Sequence, residues 1–364
     1  MGVAALSLLL LGVADTGRGR IFALAALVAA VLPLVGSIAF AVRTRHWLVC
    51  FTGGAALWLI AVGLVLNGAP KGGNSDQARL SHQYFPDHRS FPRYSLGNLL
   101  PESDQLRLGF TLMAFIDPIL TRGSAAELKR LTATVYRELE DDADFHAVGS
   151  NMGAVYTELF GLSAAGHSYV YVPAGVDRTR PRPVLVFFHG SGGNFKGYLW
   201  VLSKLADRLG FILAAPSNGP GNWRETQSVE GLREALDAVS RVAVADRSHV
   251  HVMGLSNGGL AISQLAALQG SQFESMIFLS PVFDTPALRS ASFATQCRDQ
   301  RVLVLTGARD DRVPLDYVEA NAAFMTRTGV RVQMQTVESA DHFLIFSHRE
   351  QLVRTLAEWL APAR

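Results

Sequence analysis

The sequence predicts an α/β protein, a mostly parallel sheet with helices on both faces, preceded by membrane-spanning helices. Three observations predict it. From residue 167 onward, short apolar runs of β-forming residues alternate with helix-length segments. Near the amino terminus, Ile21 to Val42 and Trp47 to Leu66 carry no charged residue. The run Val250 to Met253 ends abruptly in Gly254-Leu255-Ser256-Asn257-Gly258, which reads as a strand turning sharply into a helix.

Composition bounds the function. The 364 residues suffice for one domain of about 200 residues with additional elements. A net charge of +2 with 18% charged residues gives no field that favours nucleic acid. The two cysteines, Cys50 in an apolar run and Cys297 in a polar loop, form no disulfide framework and no spaced metal cluster. No cofactor or metal set is read, and the oligomeric state is left open.

The two uncharged runs define the start of the chain. At about 1.5 Å per residue each covers a hydrocarbon core of about 30 Å. Arg43-Thr44-Arg45-His46 separates them, so residues 1–66 read as a membrane anchor built on a helical hairpin. Gly36 and Gly53-Gly54 suit close helix packing in lipid. Val3 to Ala14 is apolar but short, a truncated third span or an interfacial segment. Arg43 and Arg45 on one side nearly balance Arg18, Arg20 and Lys71 on the other, so the charges assign no orientation.

Residues 67–150 read as a linker followed by helical segments. Asn67 to Asn98 is irregular in pattern. Leu106 to Leu120 is apolar nearly all round and reads as a buried helix, with the membrane interface as its alternative. Ser124 with Glu127 forms a capping-box pattern for a helix from 124 to 145. The acidic run Glu138, Glu140, Asp141, Asp142 and Asp144 reads as its solvated end.

The catalytic domain is expected over residues 151–364. Tyr169 to Val172, Pro183 to Phe188, Phe211 to Ala215, His249 to Met253, Met276 to Leu279, Val302 to Leu305 and Val330 to Gln335 read as strands. Lys196 to Leu209, Glu225 to Val244, Gly259 to Leu268, Leu315 to Arg327 and Glu350 to Leu360 read as helices between and after them. His249 and His251 alternate on one strand, a packing pattern rather than a metal pair.

Chemistry enters at the strand ends. A residue on so tight a turn needs glycine two positions away on either side, and Gly254 and Gly258 leave the Ser256 hydroxyl clear. The motif is short enough to arise by chance, so its context carries the assignment. A serine hydroxyl needs a base and a group to hold that base. In an open parallel sheet such groups gather at the carboxyl ends of strands. After Val302 to Leu305 come Asp310 and Asp311, and after Val330 to Gln335 comes His342.

From about residue 155 to the end, this order of Ser256, an aspartate and His342 resembles the α/β-hydrolase fold. It is similar to the branch holding dienelactone hydrolases, polyhydroxyalkanoate depolymerase-like esterases and prolyl-oligopeptidase-type peptidases. The stretch Gly307-Ala308-Arg309-Asp310-Asp311-Arg312-Val313-Pro314 matches that branch's Gly-x-x-Asp-x-Arg-Val-Pro pattern, which selects Asp310 over Asp311. Asp284 is a third choice, because some relatives place the acid there. The resemblance also aligns His189-Gly190-Ser191-Gly192-Gly193-Asn194 with the loop after the third strand. It implies an oxyanion hole from the backbone N–H of Ser191 (or Gly192) and of Asn257, with His189 structural. Trp223 is a weaker candidate for the pocket wall.

The expectation is a membrane-anchored serine hydrolase cleaving carboxylic esters through Ser256, Asp310 and His342. Only Pro281 to Gln300 lies where many lipases insert a lid, so no long cap is expected there. Small or lipid-like acyl esters are the expected substrates and membrane lipid the expected surroundings, with the catalytic domain outside the cytoplasm. A serine peptidase and an acyltransferase are the rivals among enzymes. A catalytically silent membrane scaffold is the rival outside them.

Overall fold

The computed structural model describes residues 2–41, 47–72, 78–84, 93–160 and 166–361. The chain divides into two compact units, Met1–Lys71 with Pro92–Ala133, and Gly72–Phe91 with Thr134–Arg364.

The first unit is helical. Gly2–Val13, Gly17–Ala41 and Trp47–Asn67 are its long apolar elements. By length and composition, Gly17–Ile38 is apolar enough to cross a membrane. A Cβ on Gly36 would lie 1.8 Å from the Phe51 ring, and one on Gly54 would lie 2.1 Å from the Leu32 side chain. Both glycines therefore permit the approach of the two long helices, whereas Gly53 faces open space. The turn Arg43-Thr44-Arg45-His46 lies outside the described residues.

Two expectations for residues 106–145 are corrected. The helix here is Glu102–Ile116, and its second half is not buried: Phe115 is 67% and Ile116 74% exposed. The next helix begins at Arg122, not after Ser124. Thr121 is the capping residue, its Oγ1 accepting the Ser124 N–H at 3.1 Å. Glu127 pairs with Arg130 at 2.5 Å instead of closing a capping box.

The second unit carries an eight-stranded sheet. Its strands are β1 Leu80–Tyr84, β2 His167–Tyr171, β3 Arg182–Phe188, β4 Ile212–Ser217, β5 Ala245–Leu255, β6 Ser275–Leu279, β7 Arg301–Gly307 and β8 Arg331–Val337. The order is β1-β2-β4-β3-β5-β6-β7-β8. β1 and β2 run antiparallel to their neighbours and the rest are parallel. Parallel neighbours need crossovers, which the helices between strands provide. β3 through β7 are covered on both sides, which is why they read as continuous apolar runs. On one face Val186, Val252, Phe278 and Val304 pack with Ala235, Ile262, Val318 and Met325 from the crossover helices. On the other, Lys196–Leu209 supplies Tyr198, whose ring lies 5.8 Å from that of Phe187.

β1 lies inside the stretch read as irregular linker. Its sequence, LSHQY, has no apolar alternation, yet Leu80, Ser81 and His82 are buried. His82 Nε2 meets His167 Nδ1 at 2.7 Å across the β1–β2 pair. Burial holds His167 neutral, its pKa lowered to about 3.

The acidic run is a solvated end only in part: Glu140 and Asp141 are exposed, whereas Glu138, Asp142 and Asp144 are engaged. Asp142 caps helix Ala143–Ala147 and, with Asp144, holds Arg79 beside β1 at 2.5 and 2.9 Å. Glu138 takes Arg349 in a two-point contact at 2.6 and 2.8 Å and accepts the Trp200 indole N–H. These pairs fasten the segment between β1 and β2 to the residue before β1 and to the helices that carry Trp200 and Arg349.

The register brings the parallel strand ends level. Phe188 stands beside Gly254, Leu255 beside Leu279, and Leu279 beside Leu305. The loops after β3, β5, β7 and β8 therefore open on one rim.

Candidate active site

Ser256 stands between β5 and the helix Gly258–Gln269, with a φ of +52°. That conformation is costly for a side-chain-bearing residue, and its surroundings hold it. The Ser256 N–H donates to Leu279 O at 2.9 Å, and its carbonyl accepts from Gly259 and Val282 at 2.8 and 2.9 Å. The flanking glycines are obligatory here. A Cβ on Gly254 would sit 2.3 Å from Gly258 O, and one on Gly258 would sit 2.0 Å from Phe188 O. Helix and strand ends thus meet backbone to backbone, which leaves the hydroxyl at the rim.

His342 reaches that hydroxyl from the loop after β8. Its Nε2 lies 3.0 Å from Ser256 Oγ, and its Nδ1 lies 2.8 Å from Asp310 Oδ2. The carboxylate can only accept, so Nδ1 carries the proton and Nε2 is left as the acceptor facing the hydroxyl. Asp310 Oδ1 accepts the N–H groups of Arg312 and Val313 at 2.9 and 2.8 Å. Its side chain is fully buried, and both oxygens are occupied. The loops after β7 and β8 are locked together. Arg309 N–H donates to Ala340 O at 2.9 Å, and a Cβ on Gly307 would fall 2.3 Å from that same oxygen.

The other acids are elsewhere. Asp284 caps helix Thr285–Leu288 through Ala287 N–H and accepts Gln264 Nε2 at 2.9 Å, so both its oxygens serve structure. Asp311 is exposed beside the fully buried Asp310 side chain.

The loop after β3 comes close to Ser256. A Cβ on Gly190 would lie 3.0 Å from Ser256 Cβ. The two expected N–H donors, Ser191 and Asn257, have no hydrogen-bond partner among the described residues. The alternative donor, Gly192, is corrected: its N–H is already given to Pro220 O at 2.9 Å.

His189 anchors this loop from beneath. It is wholly buried. Nε2 accepts the Asn218 N–H at 3.0 Å, so the proton sits on Nδ1 and goes to Gly190 O at 2.8 Å. Burial lowers its pKa to about 4 and keeps it neutral. Trp223, expected at the pocket wall, is instead 3% exposed. Its indole packs at 5.1 Å from the Phe188 ring, and Nε1–H donates to His189 O at 2.9 Å. An aromatic ring after a strand end gives no sign of which way it turns, and here the unsatisfied carbonyl draws it inward. Asn194 adds a tie, its amide donating to Ala215 O at 3.0 Å. Of the strand histidines, His251 stacks on Phe211 at 5.2 Å and meets Ser275 Oγ at 2.8 Å, while His249 pairs with Asp246 at the surface.

Comparison with known proteins gives partial matches. The prolyl oligopeptidase family matches residues 287–363, a stretch that contains Asp310 and His342. Feruloyl esterase B of Thermothelomyces thermophilus is 36% identical over 120 residues, which cover 29% of this chain and 40% of that protein. The chain therefore spans well under half the length of that curated relative. Among solved structures, Est1E from Butyrivibrio proteoclasticus is 16% identical, covering 54% of this chain and 93% of its own at a TM-score of 0.43. Esterase 2 of Thermogutta terrifontis is 17% identical, covering 55% and 92% at a TM-score of 0.44. The strand order, the crossovers and the serine-bearing turn after the fifth strand are those of the α/β-hydrolase fold.

Proposed function

We propose that the protein is a membrane-anchored serine hydrolase acting on carboxylic esters. The observation that carries this reading is the continuous chain from Asp310 through His342 to Ser256, with contacts of 2.8 and 3.0 Å. Ser256 Oγ attacks the ester carbonyl carbon while His342 Nε2 takes its proton. Asp310 stabilises the imidazolium and fixes its orientation. The oxygen that gains charge sits against the N–H groups of Ser191 and Asn257. His342 then protonates the departing alkoxide, which leaves an acyl group on Ser256. Water, losing a proton to His342, attacks that acyl carbon and frees the acid. The apolar helices Gly17–Ala41 and Trp47–Asn67 would span the bilayer and tether this chemistry to it. The likeness to feruloyl esterase B supports an ester as the substrate.

A second reading is a serine peptidase, favoured by the prolyl oligopeptidase match over residues 287–363. A panel of p-nitrophenyl esters and matched p-nitroanilides, run on the detergent-solubilised full chain, separates the two. Ester turnover that disappears in Ser256→Ala supports the first reading. Faster anilide turnover supports the second, and no turnover of either, with no reaction toward a fluorophosphonate, would refute both.

A further inference from the structure

The first unit exposes an apolar surface that ester hydrolysis does not use. In the helix Glu102–Ile116, Leu112 and Met113 are 40% exposed, Phe115 67% and Ile116 74%, and Ile119 beyond the helix is 41% exposed. No charge falls between Arg107 and Asp117. The bend that follows satisfies its own backbone. Asp117 N–H returns to Met113 O at 2.8 Å, Asp117 Oδ1 takes the N–H groups of Ile119 and Leu120 at 2.9 and 3.3 Å, and Pro118 has no N–H to satisfy. Such closure is what a chain needs where water is scarce.

Contacts within this unit say where the surface points. Asp104 accepts the Asp15 N–H at 2.7 Å and the Thr16 hydroxyl at 2.5 Å, at the turn between Gly2–Val13 and Gly17–Ala41. Arg18 donates to the carbonyls of Gly68 and Asn98, next to the end of Trp47–Asn67. The start of one long helix, the end of the other and the first turn of Glu102–Ile116 thus share one level. From that level Glu102–Ile116 runs back along Gly2–Val13. Arg107 Nε donates to Val13 O at 2.7 Å, and Leu108 packs with Leu10 and Leu11. Residues 108–116 therefore lie on the side of the level along which the long helices extend. At about 1.5 Å per residue they reach about 13 Å, less than half of a hydrocarbon core of about 30 Å. Arg122 stacks on Phe115 at 5.1 Å, which covers part of that charge with the ring face.

We propose that residues 108–119 dip into one leaflet beside the spanning helices, with lipid acyl chains covering the exposed face. This second, shallow contact rests on the membrane anchoring proposed above and is independent of the esterase chemistry. Spin-label accessibility tests it. The full chain carrying Cys50→Ala is labelled with a nitroxide at Ile116→Cys and reconstituted in phosphatidylcholine–phosphatidylglycerol vesicles. Cys297 is left in place, since it is fully buried and its thiol is pushed up to about 12. Labels at Val35→Cys in the long helix and at Arg180→Cys on the second unit's surface are the references. The expected result at Ile116 is collision with oxygen severalfold above collision with a water-soluble nickel chelate, as at Val35 and opposite to Arg180. Nickel access like that at Arg180, or shielding from both reagents by a protein surface, would overturn the proposal. Nickel access at Val35 itself would overturn the anchoring reading and this inference with it.

Discussion

His342 and His189 are two imidazoles at the same rim, each engaged at both ring nitrogens, with opposite consequences. His342 gives Nδ1–H to Asp310 and turns Nε2 to the hydroxyl of Ser256, with 12% of its side chain exposed. His189 gives Nδ1–H to its neighbour's carbonyl, spends Nε2 on a backbone N–H and is 0% exposed. In the proposed reaction the first takes up a proton, with a carboxylate beside it to balance the charge. The second cannot, because nothing near it repays the cost of burying a cation. On the proposed mechanism, the difference teaches that partner identity, more than residue type, separates a base from a strut.

The comparison can be broken or sharpened by substitution. The largest effect is expected from Ser256→Ala, which should lower kcat/KM on a p-nitrophenyl ester by roughly 10^4-fold or more. Next comes Asp310→Asn. An amide can donate to the imidazole and favour the wrong tautomer, so kcat should fall by about 10^3- to 10^4-fold, measured with the same ester. A loss below tenfold would move the acid role to another residue.

His189 contributes to the acid limb of stability, as the other buried histidines do. Its pKa is near 6.5 when unfolded and about 4 when folded, so the unfolded chain binds the proton first as pH falls. The stabilisation is fully present above pH 6.5 and is lost as pH falls through about 4. It is worth on the order of 3 kcal/mol. Melting temperatures of the solubilised protein between pH 7 and pH 4 should therefore fall less steeply for His189→Asn than for the parent. Equal slopes would contradict the strut.

Trp223→Phe keeps the ring and removes the donor to His189 O. A buried carbonyl left without its partner costs about 1–3 kcal/mol. Because it sits under the Ser191 loop, we expect kcat to fall about tenfold with KM little changed. A pure stability loss at unchanged kcat would detach Trp223 from the oxyanion loop. The smallest effect is expected from Asp284→Asn: the amide oxygen keeps the cap, and losing the acceptor for Gln264 costs about 1 kcal/mol, seen in thermal melts, with less than a threefold change in rate.

Much of the second unit is legible because burial on both faces forces apolar runs on its central strands. Lys196–Leu209 and Leu315–Arg327 have the bounds their periodicity predicts. Ser256, Asp310 and His342 stand out because each follows such a run. What escapes the pattern is set by partners distant in sequence. β1 is polar in sequence and buried only because Arg79, Asp142 and the β2 pairing hold it there. β5 begins at Ala245, five residues before its apolar core, where the side chains are half-buried or exposed. Ser124 carries a capping pattern, but Thr121 lies one turn earlier and takes the role. Trp223 and the Ala340 carbonyl matter through hydrogen bonds that no local spacing encodes. The exposure of Phe115 and Ile116 is equally illegible, because an all-round apolar segment reads the same whether protein or lipid surrounds it.

The central claim is that the hydroxyl of Ser256 is made nucleophilic by His342. Reaction with a fluorophosphonate, followed by mass mapping of the adduct, tests it most directly. The account predicts one adduct, on Ser256, forming rapidly in the parent and at least about 10^3-fold more slowly in His342→Ala. An adduct on another residue, or one forming on Ser256 at the same rate without the imidazole, would contradict it.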